Sequence, residues 1–353
     1  MALFANCLLV SVLLQIHLFC ARVESAAIHR RAPAGIPQFA LDYAPLIYLH
    51  SDDPYRPSDI ASMLANTRPE VKTQPVSGYP SPLTLDNLDS LNGLGGQSVY
   101  LTSLKDIAAD SQQAWLKGVA PDSSGKTNGA VSAAIIVNEK GHGTTDVFYF
   151  FFYNYNSAPP IRIFNIPFEF GNHVGDWENM MVRFKYGQPS AVWYSQHADG
   201  QAFTFEATRK IGQRPIGYSA KGSHANYATD GDHDHTIPYV NLPGTFFLTD
   251  NTNAGLLWDP LLSAYFYRYD APSNSFSAYD SNSPVNWLYY QGHWGDQQYP
   301  TSRPGQFVIF NQAKYADGPA GPIFKELNRP KMCPSNMKVC LVNPFLTAKK
   351  VKA

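Results

Sequence analysis

Charged side chains are scarce in this sequence. Asp, Glu, Lys and Arg make up 16% of the 353 residues, against about 25% in an average soluble protein. Hydrophobic residues reach 44% and aromatic residues 14%, so the chain can build a substantial core and is not typical of disordered proteins. Glycine and proline follow no fixed period, which excludes collagen-like and repeat architectures.

Clusters of basic residues are almost absent. Without residues 1–31 the chain carries 24 basic and 27 acidic residues, a formal charge of −3. The one lysine cluster lies in segment 346–353, at Lys349, Lys350 and Lys352, and we interpret it as a solvated basic tail. This charge distribution predicts that nucleic acid is not a partner.

Cysteine is rare as well. Of four cysteines, Cys7 and Cys20 fall in the N-terminal apolar segment. Cys333 and Cys340 would close a short loop, and in an oxidising compartment we expect them to form a disulfide. No free cysteine nucleophile would then remain.

The N-terminal segment 1–27 is predicted to be a secretory signal peptide. Its apolar run, Leu8 to Phe19, is followed by small residues at 25–27. Because no Lys or Arg precedes the run, an uncleaved anchor stays open as the alternative. Segment 28–35 contains the dibasic pair Arg30-Arg31 and is interpreted as a short pro-segment or linker. We expect a mature chain without a transmembrane segment, either secreted or in the vacuole or endomembrane lumen.

Motifs for common catalytic chemistries are missing. Phosphate-binding loops of the Walker or dinucleotide type do not occur, and segment 217–221 lacks the second glycine of a serine-hydrolase elbow. The absence of these motifs favours a protein without enzymatic activity.

Turn signals separate short apolar segments about every ten residues, which is typical of an antiparallel sandwich. We predict a mainly β fold, an antiparallel β-sandwich with long loops and a few short peripheral helices, in a single domain over 36–345. The predicted strands cover 130–137, 145–156, 177–186, 190–197 and 201–208, with an extended segment over 38–50 and helices over 59–65 and 103–118.

The densest chemistry lies in segment 171–178. On a strand, Asp176 and Glu178 would share one face while Trp177 packs on the other. His173 has the wrong parity to join them, so it needs a bend, which the two glycines of the segment make easy. One imidazole and two carboxylates form a mainly hard ligand set for calcium, magnesium or manganese. The alternative is that these side chains cap turns or are solvated.

Further candidate site residues are histidines, since seven of the ten lie between 142 and 293. His197 ends a predicted strand and His224 follows a glycine-serine pair. His233 and His235 alternate with aspartates, so an extended chain would place both on one face as ligands. Their position after Asp230-Gly231 favours an exposed loop instead.

Aromatic residues surround a His and an Asp in segment 287–296. Such clusters usually form core and turns, but aromatic faces beside polar groups also line sugar-binding clefts. A glycan is therefore a candidate partner.

Several separated motifs resemble the fungal members of the vacuolar protein sorting-associated protein 62 family. The resemblance runs from about Pro37 to Cys340 and is carried by four segments: FALDYAPL at 39–46, HVGDWE at 173–178, GSHANYA at 222–228 and LWDPLL at 257–262. It implies a role in delivering proteins to the vacuole and no established catalytic chemistry.

A more distant similarity concerns the necrosis- and ethylene-inducing peptide-like proteins. His173, Asp176 and Glu178 match the spacing of the GHRHDWE motif, whose first His, Asp and Glu help to hold a divalent cation that assists in binding sphingolipid head groups. That resemblance implies the same ligand set here. Asn154 or Asn156 stands where that family has another acidic ligand.

Three hypotheses follow. The leading one is a secretory-pathway β-sandwich that binds a divalent cation through His173, Asp176 and Glu178 and uses it to engage a glycan or lipid head group. The enzyme alternative is a metal-dependent hydrolase of a phosphoester or glycan, with His197 or His224 as general acid or base. The third is a trafficking factor without a small-molecule site.

Overall fold

The computed structural model describes residues 32–158, 160–163, 166–235, 248–309 and 311–346. The signal peptide predicted for 1–27, the first part of the predicted pro-segment and nearly all of the predicted basic tail lie outside these residues. The domain boundaries at 36 and 345 stay a prediction. No helix among the described residues is long and apolar enough to cross a membrane.

Strands dominate the described residues. In chain order they are β1 (Leu46–Leu49), β2 (Thr67–Val71), β3 (Gln74–Pro75), β4 (Val99–Ser103), β5 (Ala133–Glu139), β6 (Thr144–Asn156), β7 (Ile161–Ile163), β8 (Ile166–Phe168), β9 (His173–Lys185), β10 (Gln188–Gln196), β11 (Asp199–Thr204), β12 (Lys210–Ile211), β13 (Arg214–Ser219), β14 (Asn226–Tyr227), β15 (Gly231–His235), β16 (Leu248–Thr252), β17 (Leu256–Trp258), β18 (Ala264–Asp270), β19 (Ser275–Ala278), β20 (Val308–Ile309), β21 (Gln312–Ala313) and β22 (Val342–Asn343).

Helices are short in the described part of the chain. The α-helices are Gln38–Asp42 and Ser62–Asn66, and the 3₁₀ turns are Leu88–Leu94, Gly96–Ser98, Ala114–Lys117, Pro260–Ser263, Asn286–Tyr289 and Pro322–Phe324. The predicted mainly β fold with a few short helices is confirmed.

An eight-stranded sheet forms the centre, in the order β19-β18-β5-β6-β9-β10-β11-β22. Most neighbours are antiparallel, but β5 with β18 and β11 with β22 pair parallel. The apolar run of β6 is buried on both faces. Its alternate side chains enter two different core clusters, Phe148, Phe150 and Phe152 in one and Val147, Tyr149 and Phe151 in the other. A strand covered on both sides needs this continuous apolar run.

A second sheet, β12-β13-β1-β17 with β14 beside β13, covers one face of the central sheet. Ile47 of β1 and Trp258 of β17 share a core cluster with Phe151, whose ring centroid lies 5.2 Å from that of Trp258. The opposite face packs against loops and 3₁₀ turns, where Trp177 and Trp287 stack at 5.5 Å. Together the two sheets form the predicted sandwich.

The alternation of β9 side chains between the two faces of the sheet is interrupted near the start of the strand. Trp177 and Met181 enter one core cluster and Met180 and Val182 the other, as alternation requires, but Val174 lies on the Trp177 side. Gly175 causes the change, because its φ is +67°, in the left-handed region that favours glycine. Residues before Gly175 are therefore out of phase with those after it.

Three local predictions were wrong. Segment 38–50 begins as a helix, and only Leu46–Leu49 is a strand. Segment 103–118 is no continuous helix, because Asp106 and Asp110 accept hydrogen bonds from backbone N–H groups of Ala108 and Gln112 and so favour turns. The predicted loop over 232–235 is strand β15, which pairs with β16, a partner that local sequence does not reveal.

The expected disulfide is present. Cys333 and Cys340 are bonded, with Cα atoms 5.4 Å apart. The loop they close lies near β22 at the edge of the central sheet, and Asn336 inside it donates a hydrogen bond to the Ala198 carbonyl at 2.6 Å.

Candidate functional site

A cavity of about 280 Å³ opens where β6 ends and β9 begins. These two strands are antiparallel neighbours, so Asn156 of β6 pairs with His173 of β9. Ten of the residues that line the cavity have polar side chains, and they come from distant parts of the chain: Asn156, His173, Asp176, Glu178, His197, Ser223, Thr249, Asp250, Gln312 and Lys325. The three predicted metal ligands therefore share one cavity.

Gly175 brings His173 to the carboxylates. Its left-handed conformation shifts the phase of β9, and the carbonyl oxygen of Trp294 lies 1.8 Å from where a Cβ on residue 175 would be. Only glycine fits this close approach. The bend predicted from the two glycines of the segment thus occurs at Gly175, and it places His173 in the cavity with Asp176 and Glu178.

His173 is held in one tautomer. Its Nδ1 lies 2.6 Å from the carbonyl oxygen of Gly175, and a carbonyl only accepts, so Nδ1 carries the proton. Burial lowers the pKa of the imidazole, which favours the neutral form at pH 7. The neutral ring then keeps its lone pair on Nε2, the atom with which histidines ligate metals when Nδ1–H is bonded to a carbonyl.

Glu178 and Asp176 oppose each other electrostatically. Burial first, and then the charge of Asp176, raise the pKa of Glu178 to about 8, although the positive charge of Lys325 acts in the other direction. The carboxyl of Glu178 also accepts a hydrogen bond from the Ser195 hydroxyl. When two acidic groups share a buried site, the negative charge of one disfavours ionisation of the other. A cation bound nearby favours the ionised form of both.

His224 lies behind the cavity and orients Asp176. Its Nδ1 is 2.9 Å from Oδ2 of Asp176, and its Nε2 is 3.5 Å from Oδ2 of Asp53. The ring stacks on Tyr153 with centroids 3.7 Å apart. Asp53 in turn accepts hydrogen bonds from the backbone N–H groups of Tyr55 and Gly222. His224 is thus enclosed between two buried carboxylates.

His197 enters the cavity from the other side and pairs with Asp250. Nε2 of His197 lies 2.8 Å from Oδ2 of Asp250, whose carboxylate also accepts from the hydroxyls of Ser223 and Tyr227. Burial opposes the charged imidazole, but the carboxylate of Asp250 outweighs it and raises the pKa of His197. The same partners hold the pKa of Asp250 well below its usual range despite burial.

Other predicted site residues lie elsewhere or have structural partners. Asn154 donates to the Trp115 carbonyl at 2.7 Å and does not line the cavity, whereas Asn156 lines it and donates to the Gly171 carbonyl. His233 stacks on Tyr227 and hydrogen-bonds to Thr229 and Thr252. The backbone of His235 belongs to β15, and its side chain lies outside the described residues.

Sequence reasoning missed four polar cavity or support residues: Asp53, Ser223, Asp250 and Lys325. They come from loops and short strands far apart in the chain, and none stands in a motif with metal or catalytic spacing. Among the described residues, no group of three or more His, Cys, Asp and Glu side chains is arranged to hold a metal ion. Each cavity carboxyl group is instead bonded to a protein side chain: Asp176 to His224, Glu178 to Ser195 and Asp250 to His197.

The fold and the cavity define a β-sandwich protein with a carboxylate- and histidine-lined pocket at the junction of its central strands. The sequence profile of the family described as vacuolar protein sorting-associated protein 62 matches residues 15–297. The chain belongs to this family, as the motifs of segments 173–178 and 222–228 indicated.

Two relatives from Saccharomyces cerevisiae agree with this assignment. The chain is 37% identical over 331 residues to the putative vacuolar protein sorting-associated protein TDA6, covering 85% of this chain and 69% of that protein. It is 32% identical over 325 residues to vacuolar protein sorting-associated protein 62, covering 85% and 68%. Both relatives carry vacuolar protein sorting in their names.

Among solved structures, the chain is similar to Necrosis and Ethylene inducing Protein 2 from the causal agent of cocoa's Witches Broom disease. The match has 15% identity, covers 56% of this chain and 71% of that one, and has a TM-score of 0.27. A similarity at this level carries no conclusion about ligand or activity.

Proposed function

We propose that the cavity binds a divalent cation, calcium, magnesium or manganese, through His173, Asp176 and Glu178. The observation that carries the proposal is that Gly175 brings all three side chains to one cavity despite their different parity on β9. Two carboxylates and one imidazole suit a mainly hard cation.

The surroundings of the three side chains support this ligand set. The hydrogen bond from His173 Nδ1 to Gly175 leaves Nε2 as the ligand atom. His224 bonds Oδ2 of Asp176 and so acts as an outer-shell partner that orients a ligating carboxylate. A cation would also offset burial and the charge of Asp176, which together raise the pKa of Glu178.

Cation binding requires side-chain movement. Glu178 is bonded to Ser195, and the three groups are not arranged as a formed metal site among the described residues. Rotation of the Glu178 carboxyl away from Ser195 would free the bonded oxygen, Oε2, for the ion. The ion would supply positive charge for an anionic or polyhydroxy group.

We further propose that the ligand is a glycan or lipid head group. The cavity, at about 280 Å³, approaches the lower end of the volumes of small-molecule sites. Its wall combines hydrogen-bonding groups, such as Asn156, Thr249 and Gln312, with the charge of Lys325. Polar walls of this kind can exchange hydrogen bonds with hydroxyl groups.

Calorimetry on the mature chain with each of the three cations tests the site. We expect binding that is lost in Asp176→Asn, which keeps the shape and removes the charge. Glu206→Gln is the matched control, because Glu206 is exposed on a turn and does not line the cavity, so its loss should leave binding unchanged. Equal binding by Asp176→Asn and the wild type would refute the proposal.

A second candidate, metal-assisted hydrolysis of a phosphoester or glycan, is favoured by one observation. His197 lines the cavity and is oriented by Asp250 at 2.8 Å, as a general acid or base needs to be. Hydrolysis of chromogenic phosphoesters and glycosides should then depend on added cation and fall about 100-fold or more in His197→Gln. No turnover above buffer, with cation bound, would exclude these substrates.

A role in protein delivery to the vacuole is the third part of the proposal, and it rests on the family. A tagged chain expressed in yeast lacking both relatives should show a vacuolar or endosomal pool and should restore vacuolar retention of a reporter hydrolase. Purely extracellular accumulation without such rescue would speak against this role. Asp176→Asn in the same assay tells whether the cavity is needed.

A further inference from the structure

The segment 331–346, which we call the C-terminal strap, runs along the edge of the central sheet. Its β22 pairs parallel with β11, Asn343 donates to the Ala202 carbonyl, and the Cys333–Cys340 disulfide closes its first half into a loop. Met337, Cys340 and Val342 pack inward against the core. The strap is therefore an anchored part of the fold.

The outward side of the strap carries three large apolar side chains. Val339, Leu341 and Phe345 expose 73%, 62% and 74% of their surfaces. These are three of the most exposed large hydrophobic residues in the described part of the chain, and they lie within seven positions. Exposed apolar residues this close together mark an interaction site.

The strap itself carries only positive charge, although Asp199 and Glu326 line the cavity beside it. After Glu326 the sequence contains no acidic residue, but it contains Arg329, Lys331, Lys338 and the lysines at 349, 350 and 352. Lys331 and Lys338 are exposed, and neither forms an ion pair within the described residues. Glu326, the last acid, accepts two hydrogen bonds from Ser335 of the strap. Basic charge is thus concentrated here in a chain whose net charge is −1.

We infer that the C-terminal strap docks onto an anionic lipid surface. Exposed aliphatic and aromatic side chains beside lysines are the combination that inserts into the head-group region and attracts acidic lipids. A nucleic acid fits less well, because Val339 and Leu341 cannot stack on bases. An acidic protein partner fits the charge, and it becomes one outcome of the test.

The strap also borders a cleft that leads to the candidate cation site. Pro334 and Asn336 of the strap line a second cavity with His197 and Lys325, and these latter two also line the first cavity. Phe324, 42% exposed, stands at the same rim. Docking through the strap would therefore hold the cleft close to the head groups. The inference itself does not depend on cation binding.

Flotation of the mature chain with vesicles tests the inference. We expect co-flotation with phosphatidylcholine–phosphatidylserine vesicles and little with phosphatidylcholine alone, in EDTA, and a steep fall with added salt. The double variant Val339→Ser, Leu341→Ser should lower the bound fraction at least tenfold. Ile211→Ser is the control, because it also replaces an exposed apolar side chain but lies on β12, outside the strap, and it should not lower binding.

Charge reversal gives the second arm. Lys331→Glu with Lys338→Glu should weaken binding about 25-fold or more, since each lysine near an anionic surface strengthens binding about fivefold. Lys105→Glu, on an exposed loop, is the matched control. All these positions are exposed, so unchanged melting temperatures are expected and are checked first.

The outcomes separate the two proposals. Binding in EDTA that survives Asp176→Asn supports the strap, whatever the fate of the cation site. Binding that requires calcium and is lost in Asp176→Asn would assign lipid contact to the cavity and overturn the strap inference. The strap inference is also overturned if the chain does not float with acidic vesicles, or if the strap variants float as well as the wild type. An acidic protein would then be the remaining candidate partner for this surface.

Discussion

His224 and Asp176 are joined by a hydrogen bond of 2.9 Å between Nδ1 and Oδ2. His224 is 1% exposed. Its backbone is left-handed, with φ +55°, a conformation that non-glycine residues adopt rarely. A second carboxylate, Asp53, lies 3.5 Å from its other nitrogen. The histidine therefore separates two buried acids that would otherwise face each other.

His224→Ala should lower the free energy of unfolding by about 3 kcal/mol, because it leaves buried carboxylates without their partner. His233→Ala is a matched control. His233 stacks on Tyr227 as His224 stacks on Tyr153, but it bonds only to a hydroxyl and a carbonyl of threonines, so we expect a loss of about 1–2 kcal/mol. Urea denaturation of both variants measures the difference. Equal losses would show that stacking, and not charge separation, is the main contribution.

Gly175→Ala should destabilise the fold and displace His173. The added Cβ would lie 1.8 Å from the Trp294 carbonyl oxygen, and the φ of +67° adds strain, so we expect a loss of about 3 kcal/mol or more. Gly171→Ala separates the two causes, since its φ is +87° but nothing lies within 4 Å of the new Cβ. That variant should lose only about 1 kcal/mol. Thermal unfolding of the pair tests this, and similar melting temperatures would contradict the close approach.

The raised pKa of Glu178 predicts that the free energy of unfolding, measured in EDTA, depends on pH. Burial and Asp176 raise its pKa to about 8, whereas in the unfolded chain it ionises near its usual pKa of about 4.3. Between these values the unfolded state binds fewer protons, so stability falls as pH rises from about 4.5 to 8. The fall should be on the order of 1–4 kcal/mol. Glu178→Gln should flatten this part of the profile, and Glu206→Gln should not. A parallel profile in Glu178→Gln would mean that other groups cause the slope.

Removing the disulfide should cost moderate stability without harming the cavity. Cys333 and Cys340 are seven positions apart, and closing so short a loop restricts the unfolded chain by about 2 kcal/mol. The double variant Cys333→Ser, Cys340→Ser should therefore melt lower and be insensitive to reducing agent. Its cation binding should match the wild type, because the cavity ligands belong to other segments. Loss of cation binding would show that the strap also shapes the cavity.

Much of the fold could be predicted from local sequence because the central strands are long and strongly patterned. The apolar runs predicted strands over 130–137 and 145–156, and these segments form β5 and β6, which pair antiparallel. Segments 103–118 and 232–235 could not be predicted this way. Turn-forming aspartates outweigh helical spacing in the first, and a strand partner distant in sequence extends the second.

The sequence by itself determined which side chains carry the chemistry of segment 171–178, since alternation puts Asp176 and Glu178 on one face whatever their surroundings. It also determined the disulfide and the family, through spacing and motifs. The tertiary structure decided what surrounds those residues. His173 joins them because the Trp294 carbonyl occupies the space beside Gly175, and Asp250 and Lys325 reach the cavity from segments far away in the chain. Such meetings depend on how strands pair and loops pack, and neighbouring residues in a sequence do not encode them.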